Sequence, residues 1–256
     1  ICSTLDSAPR LGSIGHAAGL AMRPGEVAPL LVAAPEIGRW QAFGNLFALA
    51  QGEAVRLDRH PTMSVHPATP MDEADVRLHL ARQTDMGVGL VDLRALKAGH
   101  GPEAFLAEAK ENGIVALDVV DAETQERAGE IIWGACGEGG FVIGSQGVEY
   151  ALVAAWRQAG WLPEAAAPGR AGPVDRIAVV SGSCASVTAD QIAHAERNGF
   201  EVIAFDAATA VDARALAAET ERATAAALQA LDQGRSPLVA TARGPDDPAI
   251  ARFRKD

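Results

Sequence analysis

The sequence predicts an α/β protein in two domains, each built on a mostly parallel sheet flanked by helices. Three observations predict it. Seven short apolar runs, at 30–34, 88–91, 114–119, 141–143, 177–180, 202–205 and 238–240, have the length and composition of buried strands. Helix-period segments at 72–84, 102–112, 123–136, 148–159, 189–198 and 213–233 alternate with them, and such alternation with short connections favours parallel pairing. Residues 162–175 (LPEAAAPGRAGPVD) lack an apolar period and read as a linker. The expected domains are therefore 1–161 and 176–256, the second short for a doubly wound sheet.

Taken in order, the elements carry their own signals. The run at 30–34 leads into Pro35-Glu36-Ile37-Gly38-Arg39, which places Arg39 just past a strand end. There it is either a fork for a carboxylate or a plain surface cation. At 60–72, Pro61, Pro67 and Pro70 hold the chain extended, and Thr69-Pro70-x-Asp72 supplies an N-cap, a proline at the first helical position and a first-turn acid. His60 and His66 lie on this stretch without further ligands at a zinc spacing, so a rigid loop or a substrate contact is expected rather than a metal site.

Two later strand–helix junctions are rich in glycine and serine. At 141–148 (FVIGSQGV), Gly144 and Gly147 permit close backbone approach and Ser145 offers a hydroxyl, while Val148, Leu152, Val153 and Trp156 give the next helix an apolar face. Ile143 stands two residues before Ser145, which rules out a G-x-S-x-G nucleophile elbow. At 177–191 (IAVVSGSCASVTADQ), a strand runs through Ser181, Gly182 and Ser183 toward a helix, and Thr188 with Gln191 matches a capping box that would fix the helix start. Free N–H groups, hydroxyls and the helix dipole there suit an anion, although an ordinary tight turn would read the same way. The loop is neither a Walker A sequence nor G-x-G-x-x-G. Cys184, with no histidine placed beside it by any motif, is expected as a small buried hydrophobe.

Composition narrows the partners. In 256 residues, 33 acids against 22 bases leave a net charge of −11, which repels phosphate backbones and anionic lipids and argues against nucleic acid or membrane as partners. No apolar run reaches the ~18 residues of a membrane helix. Three cysteines, Cys2, Cys136 and Cys184, form neither a C-x-x-C pair nor an even disulfide set, which favours a reducing, cytoplasmic setting. Trp40, Phe43 and Phe47 would make an exposed apolar strip suited to a homodimer.

Five segments, CSTLDSAPRLGSIG, APEIGRWQAFGNLFA, HPATPMDEADVRLHLARQT, FVIGSQG and VVSGSCASVTADQI, together resemble the four-carbon acid sugar kinase family, in family order and over nearly the whole chain. The resemblance implies an N-terminal sugar-acid-binding domain, a C-terminal nucleotide-binding domain and an active site in the cleft between them, with ATP and Mg²⁺ serving phosphoryl transfer to a substrate hydroxyl. It implies that Ser181, Gly182 and Ser183 lie on the nucleotide side. It places Ser3, Thr4, Asp6, Ser7, Arg39, His66 and Thr69 near the substrate, and Gly144, Ser145 and Gly147 near the domain interface. The family's Asp-Asp-x-Thr-Gly and Gly-Gly-Asp-Thr segments do not occur, so the sequence reads as the middle of a longer protein and the catalytic base is expected outside it. A non-catalytic sugar-acid sensor of the same fold is the alternative.

Overall fold

The computed structural model describes residues 18, 21–23, 25–65, 70–137, 139–163, 169–170 and 172–253. Two units partition the chain, Ile1–Ala166 and Ala167–Asp256. The first runs through β1 (Ala28–Leu31), β2 (Arg39–Ala42), β3 (Asn45–Ala50), β4 (Glu53–Arg56), α1 (Val76–Leu80), β5 (Val88–Val91), α2 (Leu93–Lys97), α3 (Gly101–Glu108), β6 (Ile114–Leu117), α4 (Ala122–Cys136), β7 (Ile143–Gly144) and α5 (Gln146–Gln158). The second holds β8 (Val179–Ser181), α6 (Ser186–Arg197), β9 (Glu201–Ala204), α7 (Ala213–Asp232), β10 (Pro237–Ala240) and α8 (Pro248–Phe253).

In the first unit a parallel sheet has the order β5-β6-β1-β7, with Leu30 opposite Ala116 on one side and Ile143 on the other. β1 and β6 are buried at every position, because both faces of the sheet are covered. Alternation divides their side chains. Leu31, Val115 and Leu117 join Leu96, Phe105, Ile131, Ile132 and Ala151 from α2–α5, whereas Leu30, Ile114 and Ala116 join Leu46, Leu57, Met71, Val76 and Leu80. The second cluster draws on an antiparallel sheet, β2-β3-β4, and on α1. That sheet is absent from the expected elements: β2 and β4 mix polar with apolar residues, and the apolar run 46–50 within β3 is not among the expected strands.

Helix α1 corrects a second expectation. It begins at Val76, and Asp75, not Thr69, is its N-cap, accepting from Arg77 N. Residues 71–75 stay outside the helix and the segment bonds elsewhere: Met71 N donates to Met63 O at 2.9 Å, Leu46 N to Ala74 O at 2.9 Å and Val76 N to Gly44 O at 3.0 Å. Those bonds occupy the backbone groups a longer helix would need. Asp72 pairs with Arg82 at 2.6 Å.

The second unit has three parallel strands in the order β8-β10-β9 over a small core of Ile192, Leu238 and Ala240, joined by Val179, Phe200 and Val202. No helix among the described residues is long and apolar enough to cross a membrane.

Candidate functional site

In the first unit, chemistry collects where the parallel strands end. Asp118 follows β6 and is fully buried. Its carboxylate accepts from Phe43 N (2.5 Å) and Gly44 N (2.9 Å) in the β2–β3 turn, from Gln41 Nε2 (3.2 Å), and from Leu93 N at the start of α2 (3.2 Å). Burial pushes its carboxyl above the usual range, against the pull of these donors. Phe43 holds a positive φ of 50°, and Asp118 offsets that strain by receiving the turn's N–H groups. Asp118 is the lone acid in the apolar stretch 114–120, but three of its four partners lie more than seventy residues upstream, where no sequence pattern links them to it. Nearby, Glu36 accepts from Gln125 Nε2 at 2.6 Å, tying the turn after β1 to α4.

Arg39 opens β2, half-buried, and its Nε is buried with no hydrogen-bond partner. No carboxylate among the described residues comes within ion-pair range of it. Ser3, Thr4, Asp6, Ser7, His66 and Thr69 lie outside the described residues. His60 serves the fold: its Nδ1 accepts from Thr62 N and Met63 N, which leaves the proton on Nε2, 3.3 Å from Leu49 O. Trp40 and Phe47 face each other across β2 and β3, half-buried, so only Phe43 of the expected apolar strip is well exposed.

The 144–147 junction is closed on itself. Ser145 caps α5, its Oγ accepting from Gly147 N at 3.3 Å and donating to Val32 O at 2.8 Å. A Cβ on Gly147 would overlap the Ala33 carbonyl oxygen, and one on Gly144 would overlap Leu31 O and Val148. These glycines let α5 press onto the end of β1.

The 181–185 junction in the second unit is open. Gly182 and Ser183 are exposed, and a Cβ at Gly182 would meet no atom within 4 Å. Ser183 Oγ accepts from Ala185 N at 3.2 Å and from Thr188 Oγ1 at 2.9 Å, while Ser181 Oγ accepts weakly from Ser183 N at 3.4 Å. The expected capping box does not form. Helix α6 starts at Ser186, its N-cap is Ala185, and no side chain caps it. Thr188 sits inside the first turn, where its hydroxyl turns back to Ser183. The N–H groups of Ser186, Val187 and Thr188 are thus without intrahelical or capping acceptors among the described residues, at the positive end of a twelve-residue helix. Cys184 is half-buried rather than buried, and is a free thiol like Cys136.

Beside this loop, β8 and β10 run in register, with Ala240 opposite Ser181 and Thr241 N donating to Ser181 O at 3.1 Å. A cavity of about 320 Å³ opens at the carboxyl ends of β9 and β10. Its wall is braced by Glu219, which accepts from Asp206 N at 2.8 Å and from Arg222, and by Arg222 Nη2, which also donates to Ala204 O at 2.5 Å. The Arg222 guanidinium holds the Glu219 carboxyl down to about 2. No group of three or more His, Cys, Asp or Glu side chains among the described residues is arranged to cage a metal.

A family model described as a sugar-binding N-terminal domain matches residues 1–152, and one described as a nucleotide-binding C-terminal domain matches residues 178–255. The chain is 48% identical to a 3-oxo-isoapionate kinase of Paraburkholderia graminis, over 99% of this chain and 54% of that protein. It is 30% identical to a 3-oxo-tetronate kinase of Cupriavidus necator, over 96% of this chain and 55% of that protein. A solved structure of a Haemophilus influenzae protein of the DUF1537 family shares the fold with a TM-score of 0.55 at 24% identity, covering 100% of this chain and 58% of that one. The chain spans about half the length of the curated relatives it matches.

Proposed function

Since the chain belongs to the four-carbon acid sugar kinase family, we propose that the full-length protein is an ATP-dependent kinase that phosphorylates a hydroxyl of a small 3-oxo sugar acid. The observation that carries the reading is the open, uncapped start of α6 behind Ser181-Gly182-Ser183, inside the segment that matches a nucleotide-binding domain. Backbone amides at such a helix start bind phosphate oxygens, and the helix dipole favours their charge. Ser181, Gly182 and Ser183 then hold the phosphate chain, with Gly182 leaving it room to approach the backbone.

On the substrate side, Arg39 is the proposed carboxylate fork, its half-buried guanidinium having no acid partner among the described residues. Ser3, Thr4, Asp6, Ser7, His66 and Thr69 complete the proposed sugar-acid site. Mg²⁺ keeps several waters and takes phosphate oxygens, so it would be held chiefly by the phosphates of the nucleotide. When bound, it neutralises charge on the transferring phosphoryl group. The free thiols of Cys136 and Cys184 suit a cytoplasmic setting. Self-association through the β2–β3 face around Phe43 is a separate proposal, which sedimentation of Phe43→Ser tests.

An ADP-release assay of the full-length protein with ATP, Mg²⁺ and either 3-oxo-isoapionate or 3-oxo-tetronate tests the kinase reading. The expected result is turnover, with Arg39→Ala raising KM for the acid by about tenfold or more, the scale of a lost charged hydrogen bond. Binding of the acid unaffected by ATP, with no ADP formed, supports the sensor alternative and overturns the kinase.

A further inference from the structure

We infer that the cavity at the ends of β9 and β10 is the seat of the nucleoside half of the nucleotide, with Asp206 receiving the ribose hydroxyls. The inference rests on the nucleotide-binding reading of the second unit and assigns a site that the phosphate loop does not supply. The cavity has the size of a small-molecule site. It lies at the carboxyl ends of parallel strands, where open α/β sheets take ligands. Its lining includes Ala204, Ala240 and Ala242, small apolar side chains that a flat base can cover, with Phe205 adding an aromatic face.

The polar groups of the rim differ in what they already do. Glu219 and Arg222 are engaged with each other and with backbone, and both oxygens of Asp247 accept from Arg243 N and Ala249 N. Asp206 is different: Oδ1 accepts from Ala208 N at 3.2 Å, and Oδ2 has no donor among the described residues. Arg252, on α8, pairs with no carboxylate among them and offers a guanidinium plane to a base. Asp206 also falls about twenty residues beyond the phosphate loop at the end of the next strand in sequence, the place from which an acid reaches a ribose in dinucleotide folds. Here β10 lies between β8 and β9, so the nucleotide would cross two strand spacings, about 10 Å, from Ser181 to Asp206 over Thr241.

Calorimetry on the full-length protein with ADP, 2′,3′-dideoxy-ADP and inorganic tripolyphosphate tests this. The unsubstituted protein is expected to bind ADP about tenfold more tightly than the dideoxy analogue, and Asp206→Ala to erase that ratio by weakening ADP alone. Ala249→Trp, which fills the cavity from its rim, is expected to weaken both nucleotides while leaving tripolyphosphate unchanged. Circular dichroism of each variant separates lost binding from lost folding, and either variant, if folded, gives a decision. Folded variants that bind ADP and the analogue as the unsubstituted protein does would overturn the inference and leave the nucleotide reading standing. Absence of ADP binding in the unsubstituted protein would overturn the nucleotide reading, and the inference with it.

Discussion

The two glycine–serine junctions look alike in sequence and are opposites in space. At 144–147 every feature is used inward: Ser145 caps its helix and bonds Val32 O, and the glycines admit backbone carbonyls. At 181–185 the same residue types face outward, the helix is uncapped and Gly182 has open space around it. Small residues at a strand–helix turn therefore answer two different needs, close packing or ligand approach. What separates them is whether another part of the backbone already fills the room.

Substitutions at paired positions sharpen the contrast, and Gly147→Val carries the largest expected effect. Its side chain meets the Ala33 carbonyl in a packed core, and a loss of about 3 kcal/mol or failure to fold is expected by chemical denaturation. Gly182→Ala is expected to stay within about 0.5 kcal/mol, as for an open surface site. Should Gly182→Ala destabilise as Gly147→Val does, the two junctions are not opposites.

Asp118→Ala comes next. It strands three backbone N–H groups and the Gln41 amide, and a loss of about 2–3 kcal/mol is expected. Ser145→Ala removes a cap and a bond to Val32 O, for about 1–2 kcal/mol. Ser183→Ala is expected to leave stability nearly unchanged and to weaken nucleotide binding, read by calorimetry on the same samples.

The smallest effect is an acid titration of the second unit. Glu219 has a folded pKa of about 2 against an ordinary 4.5, so its contribution to stability is present above 4.5 and is lost as the pH falls toward 2. Glu219→Gln should then be less stable than the unsubstituted protein at pH 6 and should converge with it by pH 2. A constant gap across that range would remove the Arg222–Glu219 pair from the account. Asp118 has the opposite sign: its raised carboxyl pKa stabilises the fold below the ordinary value of 3.8 and ceases to as the pH rises through the raised one.

Most of the parallel sheets was legible because buried strands such as β1 and β6 are apolar at every position. The β2-β3-β4 sheet was not, since half of its side chains face away from the core. In the site, the serines and glycines of both junctions could be read, but Asp118 and Asp206 could not, because their roles come from partners or a cavity distant in sequence. The capping-box expectation at Thr188 failed for a local reason: Ser183 offers its Oγ to Thr188 and to Ala185 N, and the helix begins a turn earlier.

What sequence alone determined was periodic and local: strand and helix alternation, the acidic balance, the loop chemistry, and a five-segment resemblance that names the family. Tertiary structure alone decided which of those groups have capacity left for a ligand. Ser145 and Ser183 have the same hydroxyl, and Asp118 and Asp206 the same carboxylate. A group binds something external only if folding leaves its donors or lone pairs unmet, and that depends on what the rest of the chain brings within 3 Å of it.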